Sequence, residues 1–128
     1  MDKEKIKAWI QASRPPFFIA TLIPIIIGFL MAKDHGWSGT RFLLVLIACF
    51  VVHFVTNIAN DYFDYIQGAD LGNAIGGSRV IHQDKITLSQ LGWAIILLYF
   101  IGFIISLYIV FGLRLYGLAP LILFAFFS

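Results

Sequence analysis

The fold class that this sequence predicts is an all-α, polytopic transmembrane helix bundle, with three spans and an incomplete fourth. Three observations predict it. Hydrophobic residues make up 60% of the 128-residue chain and charged residues only 12%, about half the charge of an ordinary soluble domain. Mean hydropathy is +0.90, more apolar surface than a soluble core of this size can hide. The apolar residues also fall in long runs separated by short polar links, the pattern that a lipid solvent selects.

The elements follow in order. Residues 3–14 place Ile6, Trp9 and Ile10 on one helical face with Lys3, Lys5 and Lys7 around it, which predicts a short helix lying at the membrane surface. The first span covers residues 15–32. Its apolar part, Phe17 to Ala32, reaches only about 24 Å unless the Arg14–Pro16 end is drawn in. Pro15 and Pro16 suit a first helical turn, and Pro24 predicts a kink. Pro24 and the lack of a small-residue cleavage site argue against a signal peptide. After the polar link Lys33–Arg41, a second span covers 42–62. A loop over 63–87 leads to the third span, 89–113, which Thr87 or Ser89 can cap. A fourth apolar run, 115–128, is about 21 Å long and incomplete, so the chain reads as an N-terminal fragment.

Six Lys/Arg residues (Lys3, Lys5, Lys7, Arg14, Arg79, Lys85) flank one side of these spans and three (Lys33, Arg41, Arg114) the other. That bias predicts a multi-pass protein of the cell membrane with its N-terminus and the 63–87 loop in the cytoplasm. A net charge of +2, with no basic cluster interleaved with aromatics, argues against nucleic acid as a partner. The one cysteine, Cys49, lies in an apolar run and reads as a small hydrophobe.

The chemistry concentrates in His53–Asp70, HFVTNIANDYFDYIQGAD. If the second span continues as a helix, Asn57, Asn60, Asp61 and Asp64 share one face, with His53 a turn earlier. A run of acids and amides is expensive in lipid, so this face is expected to line a polar cavity. Gly68 lets the chain turn, and Asp70 can fold back towards the helix end. Asp61 and Asp64, joined by Asp70 if it folds back, offer hard oxygens with no nearby cation expected to neutralise them. Such a set suits Mg²⁺, which takes one or two carboxylates and completes its shell with phosphate and water. Asn57 and Asn60 can add neutral oxygens. Gly76, Gly77, Ser78 and Arg79 supply backbone N–H groups and a guanidinium for phosphate oxygens, and Lys85 a second positive charge. Taken singly, each feature has a plain structural explanation: a solvated helix end, a loop, a hydrogen-bonded interior histidine. Together, at a membrane boundary, they point to a metal-bridged diphosphate whose hydrocarbon tail lies in the bilayer.

The segment N-I-A-N-D-Y-F-D-Y-I-Q-G-A-D resembles the first aspartate-rich motif of the UbiA-type membrane prenyltransferases. Asn57, Asn60-Asp61-Tyr62, Asp64, Gly68 and Asp70 are similar to the branch that includes the 1,4-dihydroxy-2-naphthoate polyprenyltransferases of menaquinone synthesis. G-G-S-R-V-I (Gly76 to Ile81) and Arg14-Pro15 add to that resemblance. It implies that residues 1–128 are the N-terminal part of a single membrane prenyltransferase domain. It further implies Mg²⁺-dependent transfer of a polyprenyl group from its diphosphate to an aromatic, naphthoate-type acceptor. Asp61 and Asp64 would hold the metal, and Arg79 and Lys85 would assist the departing diphosphate. Asn57, Asn60, Asp70 and Tyr62 would bind substrate, with Tyr62 and Phe63 excluding water. A second aspartate-rich motif is expected in the family and is not found in this sequence, so the fragment alone is expected to be inactive. An ion-coupled transporter or channel is the alternative, with the aspartates binding a permeating ion. Membrane phosphotransferases are disfavoured because their Asp-Gly…Ala-Arg signature is missing, and soluble prenyl synthases because of the hydropathy.

Overall fold

The computed structural model describes residues 2–36, 38–68 and 78–127. Among them the elements are helical: α1 (Lys3–Ala12), α2 (Phe18–Ala32), α3 (Gly39–Gln67), α4 (Leu88–Leu107) and α5 (Ala119–Phe127). Three helical stretches are long and apolar enough to cross a membrane: Lys3–His35, Gly39–Gln67 and Leu88–Gly112. The first is interrupted at Arg14, whose φ of 52° ends α1. The chain is a multi-pass membrane protein. Turns of 3-10 helix at Pro15–Phe17 and Lys33–His35 extend α2 at both ends, and the combined segment reaches about 30 Å. That is the length the apolar run lacked.

Helix α3 does continue through the polar stripe, over residues Gly39–Gln67. It stops because Gly68 takes φ 68°, and its N–H closes on the carbonyls of Asp64 and Tyr65. Glycine enters this left-handed region without the Cβ clash that other residues meet. Thr87 begins α4 with a reciprocal box: its Oγ1 accepts from the Gln90 N–H at 3.3 Å, and Gln90 Oε1 accepts from the Thr87 N–H at 3.2 Å. Thr87→Ala is expected to cost about 1 kcal/mol, read as a lower unfolding midpoint in detergent; an unchanged midpoint would show that the box contributes nothing.

The buried core lies at one end of the bundle. Ala8 and Ala12 of α1 pack onto Ile58 of α3, Val80, Ile86 and Leu91, with Trp9, Phe54 and Tyr62 around them. Helix α1 therefore has two working faces. Its alanines dock on the bundle, while Ile6 and Ile10 stay exposed on the side expected to meet lipid. Elsewhere the helices present large apolar side chains outward, among them Ile19, Ile23, Leu30, Trp93 and Phe100, as lipid-facing surfaces do.

Candidate active site

The polar stripe on α3 does not face an open cavity along its whole length. Turn by turn it is matched to α2 and to the corner between α1 and α2. His53 Nδ1 lies 2.8 Å from Thr21 Oγ1, flanked edge-on by the ring of Phe18. Asn57 donates from Nδ2 to the Ser13 carbonyl at 3.3 Å. Asp61 meets Arg14 Nη2 at 2.5 Å. Polar groups on an apolar helix pair with whatever the neighbouring segment supplies, and here the corner at Ser13–Arg14 supplies a carbonyl and a guanidinium.

Asp61 is the centre of this network and is only 4% exposed. Its Oδ1 accepts from Arg14 and from the Ser78 N–H at 3.1 Å; its Oδ2 accepts from the same N–H at 3.3 Å and from Ser78 Oγ. Ser78 is held a third time through its carbonyl, which accepts from Gln11 Nε2 at 2.7 Å. Lys85 Nζ in turn donates to Gln11 Oε1 at 3.0 Å. Arg14 and Arg79, on either side of the network, have left-handed backbones with φ 52° and 59°. That conformation costs a non-glycine residue about 1–3 kcal/mol and persists where surrounding contacts impose it.

This arrangement corrects the expectation that the aspartates have no cation near them. Arg14 is that cation. It lies 47 positions from Asp61, which is why spacing alone concealed it, although an arginine at the mouth of a span was a signal. Gln11 and Ser13 also join the site with no sequence cue beyond their position on the surface helix. Asn57, read as a substrate ligand, is tied to the Ser13 carbonyl. Lys85 is tied to Gln11. Tyr62 packs into the α3–α4 interface, where a Cβ on Gly92 would sit 3.5 Å from its ring, and Phe63 is exposed.

Asp64 and Asn60 behave differently. They are one helical turn apart and share a face. Asn60 is exposed and Asp64 half-buried, and among the described residues neither side chain has a hydrogen bond or ion pair. The Arg79 side chain is exposed and likewise unengaged among them. Asp70, Gly76 and Gly77 lie outside the described residues. Among the described residues no group of three or more acidic, histidine or cysteine side chains could hold a metal unaided. Asp64 with the Asn60 oxygen still fits Mg²⁺, an ion that takes few protein ligands and completes its shell with phosphate and water.

Residues 21–128 match the model of the UbiA prenyltransferase family. The chain belongs to that family. It is 30% identical to the 1,4-dihydroxy-2-naphthoate octaprenyltransferase of Haemophilus influenzae over 128 aligned residues, covering 98% of this chain and 41% of that protein. The Bacillus subtilis protein of the same name is 31% identical over 96 residues, 68% of this chain and 31% of that one. A 2-carboxy-1,4-naphthoquinone phytyltransferase of Synechocystis is 31% identical over 70 residues, 53% of this chain and 23% of that one. The chain spans less than half the length of these UbiA relatives. No solved structure matches it. Membership of the UbiA family argues against the ion-coupled transporter or channel.

Proposed function

We propose that this chain serves Mg²⁺-dependent transfer of a polyprenyl group from polyprenyl diphosphate to a naphthoate-type aromatic acceptor, 1,4-dihydroxy-2-naphthoate, in menaquinone synthesis. The observation that carries this reading is the family match over residues 21–128, among relatives named for that transfer. A divalent cation held at the end of α3 would supply Lewis-acid stabilisation of the charge developing on a departing diphosphate. Asp64, with the Asn60 oxygen, would hold that cation, and Asp70 is a third acid that can join them. Arg79 would take phosphate oxygens directly, a charge-assisted contact suited to guanidinium. Lys85, held by Gln11, adds positive potential at the same end. Phe63, exposed on α3, would help keep water from an allylic cation. The Lys/Arg bias supports an orientation with the N-terminus and this site on the cytoplasmic side of the cell membrane.

The test is an assay in membranes with labelled polyprenyl diphosphate, offering 1,4-dihydroxy-2-naphthoate and 4-hydroxybenzoate as competing acceptors. A chain extended to the relatives' length is expected to prenylate the naphthoate with loss of its carboxyl group, and chelation of Mg²⁺ to stop it. The 128 residues alone are expected to be inactive. Transfer that survives chelation would remove the metal from this reading, and a preference for the benzoate would remove the naphthoate.

A further inference from the structure

We infer that Asp61 is a positioning residue that sets the Ser78–Arg79 turn for diphosphate, and that it is not a ligand of the divalent cation. This rests on the reading of the site as a metal–diphosphate site and divides its two aspartates by role. Both Asp61 oxygens are engaged by Arg14 and by the N–H and hydroxyl of Ser78, and the side chain is 5% exposed. A carboxylate offers about four lone-pair positions; three donors converge on them, the Ser78 N–H being shared between both oxygens, and a guanidinium already neutralises the charge. A cation entering there would have to displace Arg14 from the buried end of the pair. Asp64, one turn on, needs no such displacement.

The same network holds the Ser78–Arg79 turn in place. Ser78 is fixed at its N–H, its hydroxyl and its carbonyl, the last by Gln11, and Val80 beyond it is fully buried in the core. Arg79 lies between two anchored residues with a left-handed backbone of φ 59° and an exposed side chain. The contacts to Asp61 and the core impose that conformation and so determine where the guanidinium projects. Asp61 thus acts on the diphosphate through Arg79.

The test is a set of binding titrations on the full chain in lipid nanodiscs. Mn²⁺ alone, followed by electron paramagnetic resonance, is the metal probe, and inorganic pyrophosphate the anion probe. Asp64→Asn should weaken Mn²⁺ binding about tenfold or more, while Asp61→Asn should change it by less than about threefold. Asp61→Asn and Arg79→Gln should each weaken pyrophosphate about tenfold, and the double variant should be no weaker than either single, because both act through one guanidinium. Ser78→Ala keeps the buried ion pair and guards against a misfolded Asp61→Asn; it should weaken pyrophosphate and leave Mn²⁺ unchanged. Equal loss of Mn²⁺ in the Asp61 and Asp64 variants overturns the inference, as does additivity in the double variant. If Asp64→Asn leaves Mn²⁺ binding intact, the metal reading of Asp64 fails, and the pyrophosphate cycle still decides the role of Asp61.

Discussion

Arg14→Ala is expected to destabilise the protein by about 3 kcal/mol, the low end of the range for breaking a buried ion pair by removing one partner. The loss comes less from the attraction that disappears than from the carboxylate left behind. Asp61 stays buried with only Ser78 to satisfy it, and those two donations keep the cost from being higher. The Arg14 side chain is 22% exposed, so relief of its own desolvation, which includes a buried Nε without a hydrogen bond among the described residues, offsets only part of the loss. The left-handed corner at Arg14 also loses the contact that holds it. A drop in unfolding midpoint of roughly 10 °C in detergent is the expected reading. Arg14→Ala combined with Asp61→Asn should recover part of that drop, because the stranded charge is gone. If the double variant melts below Arg14→Ala alone, the buried charge is not the cause and the ion-pair account fails.

Much of the fold was legible because lipid imposes simple rules. Apolar runs gave the spans and Thr87 the start of α4, but α3 runs on to Gln67, through residues 63–67 that read as the start of the loop. The shortfall of the first span arose because its ends are 3-10 turns of mixed composition, which hydropathy does not register. The stripe was legible as a stripe, since Asn57, Asp61 and Asp64 recur at helical spacing. Its partners were not. Pairing Asp61 with Arg14 requires knowing that the chain turns a corner at Arg14 and that this corner lies beside α3, and nothing local to either residue encodes that meeting. For the same reason sequence treated Asp61 and Asp64 as equivalent carboxylates. One helical turn separates them, yet one faces the corner and the other does not.

Asp64→Ala is the converse case, with the larger expected effect on activity. Its carboxylate is half-buried and unpaired among the described residues, so truncation strands no partner, and stability should stay within about 0.5 kcal/mol of the parent. Prenyl transfer by the extended chain should nevertheless fall by about 10²–10³-fold, the scale on which losing one group that stabilises developing charge is felt. The contrast with Arg14→Ala carries the argument. If Arg14 and Asp64 belonged to one undifferentiated polar network, both variants would lose stability and activity in proportion. Separate roles predict a protein that melts early in the first case and one that melts normally but transfers prenyl groups about 10²-fold or more slowly in the second. An Asp64→Ala variant that keeps more than about a tenth of the parent activity would leave this carboxylate without a part in the reaction. The proposed metal site would then have to be sought among other oxygens at the end of α3.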